Sequence, residues 1–196
     1  VLARAIGLEI AWIYRGVGAE VNVHGTDNLA LSKAILAELD GFDEGYPTAS
    51  GEDFDLTYRI SKKWTIRFNR KSLVGHHHPE KLHSYLKVQI RRARDRIKLY
   101  CDHPGLIMGD SYTDSTVKYQ VALTSVLPIA LIAFPANCSV PILATILLLV
   151  CRPVLYPILW QDLAAMSELL LVRLLRNISW SVGLLIGLSD IVLMKR

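Results

Sequence analysis

The sequence predicts an α/β body followed by a small α-helical transmembrane region, and three observations carry that reading. Charge is unevenly placed: residues 1–118 hold 17 of the 22 Lys and Arg and 15 of the 18 Asp and Glu, leaving five and three for residues 119–196. Apolar residues make up 52% of the chain, mean hydropathy is +0.30, and the excess lies in the second part. In the first part, short stretches of strand-like alternation are interleaved with helical periodicity. A chain of 196 residues has room for one modest domain plus a membrane portion. The expected organisation is therefore a polar body over 1–104, a linker over 105–118 and a membrane region over 119–196.

The opening "VLARAIGLEIAWIYRG" has no initiator Met and lacks the basic flank, apolar run and cleavage site of a signal peptide, so the chain reads as the C-terminal part of something longer. Next, "VNVHGTDNLALSKAILAELDGF" predicts a short strand, a turn and a helix. Thr26 or Asp27 is the expected cap, Leu31, Ile35 and Leu39 the buried stripe, and Gly41 the stop. "GEDFDLTYRISKKW" predicts a second helix that packs through Phe54, Tyr58 and Ile60. "TIRFNRKSLVGHHH" alternates like a strand pair or a strand and its extension. "PEKLHSYLKVQIRRARDRIKLYCDHP" predicts a long basic helix that Pro104 stops.

From Tyr119 the pattern becomes that of a membrane. "YQVALTSVLPIALIAF" and "VPILATILLLVCRPVLYPILW" approach the ~20 residues needed to cross a bilayer, and "PANCS" between them makes a hairpin. "QDLAAMSELLLVRLLRN" suits the interface plane, with Asp162, Glu168, Arg173 and Arg176 spaced by helical turns. "ISWSVGLLIGLSDIVLMKR" is a third apolar run, short and carrying Asp190, so that a span and a re-entrant segment both stay open. Thirteen Lys and Arg against Glu80 and Asp95 lie between Arg59 and Lys98, directly before the apolar part. That placement suits anionic membrane lipids or a diphosphate; nucleic acid is not expected, because no interleaved aromatic platform accompanies the charge. Cys101, Cys138 and Cys151 form neither a disulfide framework nor a CxxC pair, which fits a reducing, cytoplasmic side. The basic helix before Tyr119 points to the same side.

Chemistry concentrates in three places. Ser50 with Asp53 three residues on spells a capping box, in which Asp53 reaches back to backbone. The functional alternative is that Asp53, favoured as an anion in the first helical turn, takes a proton from an attacking hydroxyl. Asp55 and Arg59, four apart, read as an ion pair. His76 and His78 face one way if their segment is extended, which suits a divalent metal, although two ligands do not make a site and a polar strand end explains them as well. Gln89 and Arg92 share a helix face that Arg96 extends, and guanidinium groups grip phosphate oxygens. Lipid head groups alone would also account for that face.

The order of these elements from Asn28 to Arg96 ("DNLALSKAILAELDGFDEGYPTASGEDFDLTYRI", "VGHHHP", "QIRRARDR") resembles the second half of the catalytic domain of family 2 glycosyltransferases. The resemblance implies the C-terminal half of a GT-A fold and an inverting hexosyltransferase. Asp53 would be its general base, with Glu52 and Asp55 supporting. Asn28 would lie on the acceptor side, and Gln89 and Arg92 near the diphosphate or acceptor. His76, and less directly His78, would help hold a Mg or Mn ion on a nucleotide-sugar donor, most of whose ligands belong to a DxD motif that this sequence lacks. With that donor-binding half missing, the piece is expected to be inactive alone. The acceptor would be lipid-linked or a growing polysaccharide, and the place a bacterial-type inner membrane, multi-pass, with the catalytic part cytoplasmic. Ala93 stands where processive members carry Trp after Arg92, which favours transfer of one sugar at a time. Two other classes remain: a non-catalytic membrane scaffold, and a transporter fragment in which Arg152 and Asp190 would be functional.

Overall fold

The computed structural model describes residues 2–46, 49–113, 115–133, 143 and 163–194. The first residues form helix α1 (Leu2–Gly16), with an amphipathic pattern that buries Ala5, Ile6 and Glu9. Strand β1 (Glu20–Val21) pairs antiparallel with β2 (Ile66–Arg67), placing Glu20 opposite Arg67 and Val21 opposite Ile66. One further bond, from the Phe68 amide to the Ala19 carbonyl at 2.9 Å, extends the ribbon.

Among the described residues this two-stranded ribbon is the whole sheet, which overturns the expected α/β class and with it the half-GT-A architecture. The body is helical. The physical reason lies in "TIRFNRKSLVGHHH": its alternation is real, but residues 69–77 are all exposed, so no buried face rewards a longer ladder.

After a 3-10 turn at Thr26–Asn28 comes helix α2 (Lys33–Glu38), capped by Ser32, whose hydroxyl accepts the Ala34 amide at 3.2 Å. The cap is thus neither Thr26 nor Asp27, and α2 has no fully buried residue, so Ile35 does not supply a core stripe. The stop is as read: Asp40 and Gly41 have φ of 56° and 70°, and the Gly41 amide bonds back to the Leu36 carbonyl.

Helix α3 (Glu52–Ser61) buries Phe54, Tyr58 and Ile60 as the sequence predicts. Phe54 and Tyr58 meet Val23, Leu99 and Leu106 in one core cluster. Helix α4 (Leu82–Asp102) ends at His103, ahead of Pro104. Asp55 ties these parts together. Its Oδ2 accepts from Arg59 Nε at 2.9 Å, and its Oδ1 bonds His103 Nε2 at 2.7 Å. Arg59 also donates to the Leu39 and Gly41 carbonyls, both at 2.8 Å. One carboxylate therefore joins α3, the turn after α2 and the end of α4.

The apolar part holds helices α5 (Ser115–Ala133) and α6 (Leu163–Met194). The interfacial helix and third apolar run, read as separate, are one continuous helix. Arg173 and Arg176 do not face head groups: both turn inward to Glu9 Oε1 of α1, the first at 3.0 Å, and the pairs are buried. An isolated carboxylate or guanidinium could not be left there, whereas a group of opposite charges can. Asp190 likewise meets Arg94 of α4 at 2.6 Å, which gives the acid inside an apolar run an ion-pair partner. Of the apolar segment 140–160 only residue 143 is described; the loop before it, Arg152, Asp162, Cys138 and Cys151 lie outside the described residues.

Helices α4 and α6 run parallel. Gln89 meets Trp180, Ala93 and Ile90 meet Gly183, and Arg94 and Ile97 meet Gly187. A Cβ at Gly183 would stand 2.2 Å from the Ile90 carbonyl oxygen, and one at Gly187 would stand 2.6 Å from that of Arg94. The pair Gly183-x-x-x-Gly187 sets this close approach. Gly183→Leu is expected to lower stability by about 3 kcal/mol, through the overpacking of two rigid backbones. Gly16→Ala, which meets nothing within 4 Å, should be close to neutral. Asp55→Ala should cost about 3 kcal/mol by stranding Arg59 and His103. Thermal unfolding of the three variants checks the order.

Candidate functional site

The N-cap of α3 is Gly51, one residue after the Ser50 that the capping-box pattern nominates. That shift redistributes the acids. Glu52 reaches back, its Oε2 accepting the Ser50 amide at 2.7 Å and the Gly51 amide at 2.9 Å. The Ser50 hydroxyl turns instead to Asp95 Oδ2 on α4. Glu52, not Asp53, therefore satisfies the helix start. The Asp53 carboxylate accepts only the next amide, Phe54 N–H to Oδ1 at 2.8 Å, so among the described residues its Oδ2 has no hydrogen-bond partner.

Asp53 lines a cavity of about 1420 Å³ bounded by α1, the turn at 24–32, the first turn of α3, the 66–79 segment and one face of α4. Burial raises its pKa above the ordinary carboxylate value. The Phe54 amide opposes that rise, the neighbouring Glu52 adds to it, and the Arg92 and Arg96 guanidiniums oppose it in turn. The result is a carboxylate of strengthened basicity with one oxygen unengaged. Gly25 passes close by: a Cβ there would sit 3.5 Å from Asp53 Oδ2 and 2.5 Å from Asp27 Oδ1, so a side chain would crowd both acids.

Most of the other nominated residues line the same cavity. Asn28 reaches it from the 3-10 turn, where its Nδ2 donates to the Ser72 carbonyl at 3.0 Å and ties two loops together. From α4 come Gln89 and Arg92: Gln89 is buried and Arg92 exposed. His76 and His78 close one side, their rings 4.8 Å apart, so the two do share a face even though the segment is not a regular strand. Burial, and then the proximity of His76, lowers the His78 pKa and favours a neutral ring. Asp55 is the exception. It lies behind the cavity wall in the Arg59 and His103 ties and makes no part of the lining.

A hard divalent cation needs several oxygen ligands or, for zinc, three or four convergent groups. Two imidazoles fall short of that. Among the described residues no three His, Cys, Asp or Glu side chains converge in such a way. The described residues of this cavity do not fit a resident cation.

Sequence reasoning missed the aromatic wall. Tyr14, His24 and Phe68 form a triangle of rings with centroids 5.6 to 5.7 Å apart, and Tyr112 stands edge-on to Tyr14 and Phe54. Trp180 of α6 also lines the cavity and donates its indole N–H to Gln89 Oε1 at 2.9 Å. A Trp flanked by Ser179, Ser181 and Asn177 in a Leu-rich run was the available signal. Arg96 is sandwiched by Phe54, Tyr100 and Trp180, its Cζ 4.6 to 5.9 Å from their ring centres. Its Nη1 is buried without a hydrogen bond, 3.7 Å from Asp110 Oδ2. A base, two guanidiniums and an aromatic wall suit an uncharged ring carrying hydroxyl groups next to an anionic group. No protein-family model, characterised protein or solved structure matches this chain.

The raised Asp53 pKa has a sign that can be checked. The folded state binds this proton more tightly than the unfolded state, so stability falls as pH rises through the folded value. Asp53→Asn is accordingly expected to melt no lower than the parent at neutral pH. Titration of the Asp53 carboxyl carbon by NMR should give a midpoint above about 3.9, the unperturbed value. Arg92→Gln, which removes a favourable charge, should move that midpoint higher.

Proposed function

We propose that the chain carries the acceptor-side part of an inverting, family 2-like glycosyltransferase that moves a sugar from a nucleotide-sugar to a lipid-linked or polysaccharide acceptor at the cytoplasmic face of a membrane. One observation supports this above the rest: Asn28, Glu52, Asp53, His76, His78, Gln89 and Arg92, spread over 65 positions and nominated by a single motif order, border one cavity around a free carboxylate oxygen.

In this reading the acceptor hydroxyl lies against Asp53 Oδ2. As its oxygen bonds to the anomeric carbon, its proton passes to Asp53. The bond from that carbon to the diphosphate oxygen breaks on the opposite side, so configuration inverts and nucleoside diphosphate leaves. A carboxylate of raised pKa is a stronger base than an ordinary one. Arg92, free to reach the ligand, and Arg96, held by three rings, meet the negative charge on the leaving group. Glu52 acts by holding the helix start that aims Asp53, and Asp55 by holding the helix itself. Both are positioning residues.

Asp53→Asn is the deciding variant, because Asn preserves shape and the Phe54 contact while losing the proton acceptor. In membranes carrying the protein from its full reading frame, transfer of labelled sugar to a lipid or polysaccharide fraction should fall about 10²–10⁴-fold, with melting unchanged or higher. The parent's acid limb should lie above the usual carboxylate range. Unchanged transfer in Asp53→Asn would point to the scaffold reading and would sink this one.

A further inference from the structure

Helix α6 is the one described helix long and apolar enough to cross a membrane, over Glu168–Leu193. Its packing opposes that course. It lies alongside α4 from the Tyr85 and Val172 contact to the Arg94 and Asp190 pair. Helix α4 carries Lys87, Arg91, Arg92, Arg94, Arg96 and Lys98. If α6 crossed the bilayer in this arrangement, it would carry those cations into hydrocarbon, at several kcal/mol for each near the midplane.

The outward side of α6 is nonetheless apolar. Leu171, Ile178, Val182, Leu185 and Val192 recur at seven-, four- and three-residue steps, which places them on one face. All are exposed, Leu185 at 66% and Val192 at 58%. The face looks away from Gly183 and Gly187, which are pressed to α4. Among the described residues nothing covers it. Along its α4 edge, Lys87 and Arg94 sit seven residues apart on one side of that helix, both exposed, and Arg94 bonds to Asp190 beside the stripe. An apolar stripe with a cationic edge matches the acyl boundary of an anionic bilayer and its phosphate layer.

We infer that α6 lies in the plane of the membrane surface, its Leu171-to-Val192 stripe buried in the head-group and acyl boundary of an anionic bilayer, with α4 above it carrying the Gln89 and Arg92 side of the cavity. The inference is independent of the glycosyl-transfer reading. It would place the cavity next to lipid whatever reaction the cavity serves.

Four single-cysteine variants test it, Leu171→Cys, Ile178→Cys, Leu185→Cys and Val192→Cys, in a full-length background with Cys101, Cys138 and Cys151 changed to Ser. Each carries an environment-sensitive fluorophore and is reconstituted in vesicles of phosphatidylethanolamine and phosphatidylglycerol. Lipids bearing a quencher near the head group or near the chain end then report depth. The expected result is loss of fluorescence to the shallow quencher at all four sites, with the same shallow-to-deep ratio. A ratio that passes through a deep extreme near residue 182 would mean a spanning helix and overturn the inference. Failure of either quencher at all four sites would overturn it as well, by showing that protein covers the stripe. These sites lie outside the cavity, so sugar transfer in the same samples reads separately.

Discussion

A buried carboxylate in the first turn of a short helix governs how this body is assembled. Asp55 holds Arg59 along its own helix and His103 at the end of α4, while Arg59 closes the turn after α2 through two carbonyls. Each contact alone is modest. Together they fix the angle between α3 and α4, because the carboxylate cannot satisfy both partners from any other place. The cavity lies on the far side of that joint, so its shape depends on it: Asp53 comes from one helix, and Gln89, Arg92 and Arg96 from the other.

Three acids within four residues thus divide their work by geometry. Glu52 accepts amides at the helix start, Asp55 holds Arg59 and His103 behind it, and Asp53 looks into the cavity with one oxygen unengaged. The division follows from helical rotation. Residues 52, 53 and 55 leave the axis in different directions, so Asp55 turns away from the opening while Asp53 keeps one oxygen unengaged in it. Glu52 is engaged by the Ser50 and Gly51 amides and Asp55 by Arg59 and His103, and Asp53 is relieved of the capping that its position in the sequence suggested.

The apolar half follows a different rule. Helix α6 is held by what is polar or small in it: Arg173 and Arg176 on Glu9, Asn177 near Gln120, Trp180 on Gln89, Asp190 on Arg94, and two glycines against the α4 backbone. Its leucines point mainly outward. This is the reverse of a soluble amphipathic helix, and it fits an element packed on protein along one side and facing an apolar medium along the other.

Much of this was readable in the chain itself. The ends of α4, the turn at Gly41, the Asp55–Arg59 pair and the packing face of α3 depend on neighbours within about a turn, so local spacing determines them. The candidate residues were also legible, since the motif order named seven that share a cavity. Tertiary structure alone decided the rest. A strand needs a partner and a buried face, and "TIRFNRKSLVGHHH" finds them for only two residues, so alternation misled about fold class. The register of the α3 cap turned on Asp95, 45 residues away. The inward turn of Arg173 and Arg176 required Glu9, more than 160 residues earlier, and the aromatic wall drew on α1, α3, the 66–79 segment and α6 at once. Contacts between residues so far apart leave no periodic trace, because they are set by how helices meet rather than by how each one is wound.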